Sequence, residues 1–131
     1  MEAVCDTYNA LSADEYLKNG EVVVLGGGTG KPYVTTDTTA TLRAKELNCD
    51  CVLKATKVDG VYDDDPVKNP NAKRFDKISF DDCLARGLKV MDEKAFQMAK
   101  EENIHIIVFN MFEKDNIVKV LQGEDVGTVV S

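Results

Sequence analysis

Val22-Val23-Val24-Leu25-Gly26-Gly27-Gly28-Thr29-Gly30-Lys31-Pro32-Tyr33-Val34-Thr35-Thr36-Asp37 is the stretch from which the rest of the chain can be placed. Four apolar residues in a row suit a strand covered on both faces, predicted over Glu21–Leu25. Three consecutive glycines then allow a sharp turn and a close backbone approach to a ligand. Thr35, Thr36 and Asp37 offer hydroxyls and a carboxylate where a helix begins. Free N–H groups at a helix start attract anions. The segment reads as the cradle of a phosphorylated small molecule.

The surrounding composition narrows the class. The 131 residues fit one domain or a large part of one, and 44% are hydrophobic, enough for a core. Sixteen basic against 23 acidic residues give a net charge of −7, which argues against a nucleic-acid polymer as partner but leaves room for a mononucleotide. No apolar run approaches the roughly 20 residues of a membrane span, so no membrane partner is expected. Met1–Asp6 lacks the basic-then-apolar pattern of an export signal, and a cytoplasmic location is expected. Cys5, Cys49, Cys51 and Cys83 are accordingly read as reduced thiols. Cys49-x-Cys51 has no second ligand pair at zinc spacing, and no protein-held metal site is predicted.

Outward from the glycine loop, strands and helices alternate. Ser12-Ala13-Asp14-Glu15 has the form of a capping box, with the helix ending near Asn19-Gly20. A helix is predicted over Asp37–Leu47, with Ala40, Ala44 and Leu47 on one face. Strands are predicted at Cys51–Ala55, His105–Asn110 and Gly127–Val130. Short helices follow the caps Ser79, Asp92 and Asp115-Asn116. This order predicts an α/β sandwich with a mostly parallel sheet. In such sheets ligands sit at the carboxyl ends of strands, so the loops Gly26–Thr36 and Thr56–Asp65 should open on one edge.

Several residues carry candidate chemistry. The glycine loop is not a Walker A loop, because Pro32 stands at the Ser/Thr position. It is not a dinucleotide fingerprint either. Asp37 is readable as a simple N-cap, or as a carboxylate beside transferred phosphates that orients lysines or binds Mg²⁺ through water. Thr56-Lys57-Val58-Asp59-Gly60-Val61-Tyr62 through Asp65 supplies a lysine, an aromatic ring that can stack on a base, and carboxylates that can accept ribose hydroxyls. A solvated loop with a surface tyrosine fits the same residues. Lys54, on a buried strand, needs a phosphate or a carboxylate as partner. Asp92 reads first as an N-cap.

Taken together, Gly28-Thr29-Gly30-x-Pro32-Tyr33-x-Thr35-Thr36-Asp37, Leu53-Lys54-Ala55-Thr56-Lys57-Val58-Asp59-Gly60-Val61-Tyr62, Leu88-Lys89-Val90-Met91-Asp92 and Val108-Phe109-Asn110-Met111 resemble bacterial-type uridylate (UMP) kinase of the amino-acid-kinase superfamily. The resemblance implies an α/β/α sandwich. It also implies transfer of the ATP γ-phosphate to UMP, giving UDP with Mg²⁺, in pyrimidine nucleotide biosynthesis. By motif, Thr29, Gly30, Lys31, Pro32, Tyr33, Val34, Thr35 and Thr36 would line the UMP site. Thr56, Tyr62 and Asp65 would contact ATP, and Asp37 would be the catalytic aspartate. Lys54, Lys57 and Asp92 fall in the same motifs. The family's assembly, a hexamer often regulated by GTP, is implied with them.

Two departures stand out. Lys31 replaces the family's usual Asn after Thr-Gly, at a position that bears on UMP selectivity. The match also covers only the carboxyl-terminal part of the family's chain. Residues 1–131 are therefore expected to form a single partial domain, the C-terminal nucleotide-binding portion, weakly active or inactive alone. A catalytically dead nucleotide-binding remnant with a structural or regulatory role is the alternative. A superfamily kinase acting on a carboxylate or carbamate is a third reading, which the two-lysine motif disfavours.

Overall fold

The computed structural model describes residues 4–131. Met1, Glu2 and Ala3, part of the stretch read for an export signal, lie outside the described residues. The elements are α1 (Ala10–Lys18), α2 (Thr36–Glu46), β1 (Cys51–Thr56), β2 (Lys77–Ile78), α3 (Phe80–Ala85), α4 (Glu93–Glu101), β3 (His105–Asn110), α5 (Asn116–Leu121) and β4 (Gly127–Val130). The four strands form one sheet in the order β1-β3-β4-β2. β1 pairs parallel with β3, and β2 parallel with β4, as alternation with helices implied. The β3–β4 junction is antiparallel, so the sheet is mixed.

Side-chain alternation along β3 builds two faces. Ile106 and Val108 join Val130, Phe80, Cys83, Phe96 and Ala99 in the main core. Phe80 and Phe96 meet edge to face, with ring centroids 5.1 Å apart. Ile107 faces the other way, toward Val120 of α5 and Val129. Helices therefore cover both faces of the sheet. α2 packs against α4 and β1, which brings the hydroxyl-rich start of α2 over the sheet.

The caps differ in detail from the pattern in the sequence. Ser79 and Asp92 cap α3 and α4 as expected, through Asp82 N and Ala95 N. Ser12 does not start α1; Asn9 does, its side chain accepting from the N–H groups of Leu11 and Ser12. Starting earlier lets Tyr8 donate to Glu46 and lie under the Arg43 guanidinium, which ties the approach to α1 onto α2. Strand β2 was not expected, because two residues are too few to show a period.

The predicted strand over Glu21–Leu25 does not form. The segment is irregular, with no ladder partner among the described residues. Val22 and Val24 are each 90% exposed. Val23 and Leu25 face a cleft that Ala40, Ala44, Leu47 and Val52 also line. The apolar run asks for cover on both sides, and the described residues supply it on one. With no adjacent edge to hydrogen-bond, composition alone cannot make a strand.

A buried hydroxyl on the inner strand β4 joins the sheet to the loop after β1. Thr128 of β4, fully buried, accepts from the Val61 N–H at 2.8 Å and donates to the Phe75 carbonyl. A Cβ added at Gly60 would overlap that hydroxyl oxygen and the Arg74 side chain, so glycine is required for the approach. Replacing Thr128 by Val leaves a buried N–H and a carbonyl unpaired and should cost about 1–3 kcal/mol in urea denaturation, with Thr128→Ser closer to wild type. Conversely, Val22→Thr with Val24→Thr should change the unfolding free energy by less than about 0.5 kcal/mol. A loss of core size in that double variant would mean the two side chains are covered.

Candidate active site

α2 returns along β1 through Leu47–Asp50, so its first turn lies at the carboxyl end of that strand. Thr35, in extended backbone, caps the helix by accepting from Thr38 N at 3.1 Å. Asp37 is thereby placed inside the first turn, not at the cap. The capping role belongs to Thr35, which leaves the Asp37 carboxylate available to partners outside its own helix. An acid there is favoured by the partial positive charge of the helix start.

Val52, Lys54 and Thr56 share one face of β1 by strand period, and Val52 packs in the core with Ala44 of α2. Lys54 therefore rises under the first turn of α2. Its Nζ lies 2.8 Å from Asp37 Oδ2, both side chains being about one-quarter exposed (24% and 29%). The same oxygen accepts the backbone N–H of Asp92 at 3.3 Å. The Asp92 carboxylate accepts from Ala95 N at 3.0 Å, from the Thr38 hydroxyl at 3.1 Å, and from the Thr35 hydroxyl. Burial pushes the Asp92 carboxyl up, but the hydrogen bonds from Thr35, Ala95 N, Thr38 and Lys94 N outweigh it and leave the acid below its ordinary range. The result is a linked set, Lys54–Asp37–Asp92–Thr35–Thr38, spanning β1 and the starts of α2 and α4.

The rest of the expected acceptor loop stands apart from this set. Gly30, Lys31, Pro32 and Tyr33 are exposed, and Thr29 and Val34 are half-buried. Within the loop, the Lys31 N–H donates to Thr29 Oγ1 at 3.3 Å. Tyr33 is fully exposed in left-handed backbone (φ 61°), a conformation an aromatic residue rarely adopts without a local reason. Thr36 lies in the first turn of α2, and its neighbour Thr35 has its hydroxyl proton committed to Asp92.

On the other loop, Thr56 closes β1 opposite Asn110 of β3. Its hydroxyl turns back on the Val58 backbone, as donor to the carbonyl at 2.8 Å and acceptor from the N–H at 3.0 Å. Lys57 is exposed. Tyr62 donates to Asp59 at 2.8 Å, which raises its phenol above the usual range, and Arg74 reaches the same carboxylate at 3.4 Å. Asp65 accepts from Val67 N at 2.9 Å and shapes its own turn. Among the described residues no hydrogen bond links Tyr62 or Asp65 to the Asp37 set. Only the loop after β1 leaves a strand end, and of the predicted site residues Thr35, Asp37, Lys54 and Asp92 are the ones knit together, with Thr38 joining them.

Sequence reasoning missed Thr38, buried between the helices, and Asp59, the acceptor for both Tyr62 and Arg74. Thr38 was findable, since it stands three residues after a Thr cap. Nothing local marks Asp59. Among the described residues no group of three or more His, Cys, Asp or Glu side chains is arranged to hold a metal ion. No helix there is long and apolar enough to cross a membrane. The glycine loop is flanked by two clefts of about 370 and 560 Å³, lined by Val23, Leu25, Gly28 and Arg43, rather than by the Asp37–Lys54 pair.

Known proteins resemble this chain in both sequence and fold. The profile of the Amino acid kinase family matches residues 2–110. The uridylate kinase of Phocaeicola vulgatus is 50% identical over 130 residues, 99% of this chain and 55% of that protein. That of Nitrobacter hamburgensis is 50% identical over 131 residues, again 55% of its length. The crystal structure of UMP kinase from Bacillus anthracis superposes with a TM-score of 0.94 at 39% identity, covering 98% of this chain and 53% of that one. UMP kinase from Ureaplasma parvum gives 0.94 at 37% identity, covering 100% and 56%. The chain thus spans about half the length of the relatives it matches. A family match over residues 2–110, most of the chain, together with a shared fold, makes this chain a member of the amino acid kinase family.

Proposed function

We propose that the chain is the nucleotide-handling part of a uridylate kinase, whose reaction moves the γ-phosphoryl group of ATP to UMP and yields UDP. The observation that carries this reading is the Lys54 ammonium 2.8 Å from Asp37 Oδ2 at the start of α2. Phosphoryl transfer needs positioning and neutralisation of spread negative charge more than covalent chemistry. Lys54 supplies a positive charge, and Asp37 holds it in place. Thr29–Thr36 line the acceptor, with Lys31 facing the choice of base or sugar. Thr56, Tyr62 and Asp65 attend ATP, with Lys57 near its phosphates. Mg²⁺ enters with ATP as part of the substrate. A cytoplasmic location, hexameric assembly and GTP control belong to the same reading by resemblance.

The alternative is a nucleotide-binding piece without turnover. The loop from Gly26 to Tyr33, exposed at every residue but Thr29, favours it, since few contacts fix that loop over Asp37. A coupled assay with UMP, ATP and Mg²⁺ separates the two. Turnover that falls about 100-fold or more in Asp37→Asn supports the kinase. Binding of UMP or ATP without turnover supports the remnant, and binding of neither removes both. Preference for a carboxylate or carbamate acceptor would replace UMP as the substrate. Tyr33→Gly should raise stability by up to about 1 kcal/mol by relieving left-handed backbone, yet weaken UMP binding if the ring contacts the nucleotide. Thermal melts and UMP titration check both parts.

A further inference from the structure

We propose that Asp92 is a positioning residue, which locks the Thr35 and Thr38 side chains from the neighbouring helix and so sets the acceptor edge of the site. Capping α4 needs only the bond from Ala95 N to Oδ1, 3.0 Å long. Asp92 does more. The Thr38 hydroxyl lies 3.1 Å from Oδ1 and 3.2 Å from Oδ2, and Oδ2 takes the Thr35 hydroxyl. Its backbone N–H reaches Asp37 Oδ2 at 3.3 Å, the oxygen that Lys54 holds from the other side. One residue thus touches the cap, the third position and the acid of the first turn of α2.

The proton inventory makes this arrangement directional. Thr35 Oγ1 accepts from Thr38 N, so its single proton is free for one acceptor, and Asp92 takes it. Two carboxylate oxygens are needed to receive Ala95 N and both hydroxyls. An asparagine offers one oxygen and an NH₂ group, so at least one charge-assisted bond from a hydroxyl is replaced by a neutral amide bond of reversed direction. Asparagine is nevertheless as good an N-cap as aspartate. Asp92→Asn therefore keeps the cap and weakens the tie between helices by removing its charge, which separates positioning from capping.

The functional half of this inference rests on the uridylate kinase reading; the structural half does not. The test uses the full 131-residue chain, wild type and Asp92→Asn, with Asp92→Ser as a second cap-competent variant. The first measurement is the Thr35 χ1 rotamer by NMR scalar couplings without ligand. A single rotamer in wild type that becomes averaged in Asp92→Asn, with the thermal midpoint moved by less than about 5 °C, is expected. The second is UMP and ATP titration, where UMP affinity should fall about tenfold in Asp92→Asn while ATP affinity stays within about twofold. An unchanged Thr35 rotamer in both variants overturns the proposal, as does an equal loss for both nucleotides. If the wild-type chain binds no UMP, the kinase reading fails, and the rotamer measurement decides the tie by itself.

Discussion

Because α2 reverses into β1 across Leu47–Asp50, the first turn of the helix must lie where the strand ends. Asn48 takes left-handed backbone (φ 52°) at that reversal, and Cys49 N–H closes on the Ala44 carbonyl at 2.8 Å. The length of the helix then fixes how far along the strand its start falls. Asp37 comes down over Lys54, and α4, packed beside α2, brings Asp92 to the same place. A longer reversal would carry the acid past the lysine. Each charged contact in the site descends from this one geometric constraint.

The Lys54–Asp37 pair contributes little to folding. Both groups keep some water, so attraction is screened, and the cost of ordering a lysine side chain offsets part of the gain. Its importance is placement. A carboxylate held by an ammonium and by a backbone N–H cannot rotate freely, and the positive charge is kept at the open end of the sheet. Stability comes instead from the apolar packing of Ile106, Val108, Val130, Phe80 and Phe96 beneath it. The core and the site are thus built from different residues on the same elements.

Much of this was legible before any coordinates. His105–Asn110 and Gly127–Val130 were readable residue for residue, because their apolar runs are short and bounded by turn residues. Thr35, Ser79 and Asp92 announced helix starts through side chains that compete for free N–H groups. The resemblance across four motifs pointed to the Asp37 region, and the structure pairs Asp37 with Lys54 there. What sequence could not supply was pairing. Val22–Leu25 has the composition of a buried strand, but a strand exists only with a neighbour, and composition does not say who the neighbour is. The Asp92 tie was likewise hidden, since its partners stand more than fifty residues away, with only the N-cap visible locally.

The bare Val22–Leu25 run has a bearing on how the protein behaves in concentrated solution. It combines β-branched side chains, no charge, no proline and backbone groups without a ladder partner, the composition from which cross-β stacking starts. Glu21 at one end and the three glycines at the other interrupt it, keeping the sticky part to four residues. Those flanks act as gatekeepers, the charge opposing close stacking and the glycines raising the entropy cost of ordering. Colloidal stability at neutral pH is therefore governed by the −7 net charge and by Glu21. Acidification toward the isoelectric point would remove the net repulsion between molecules.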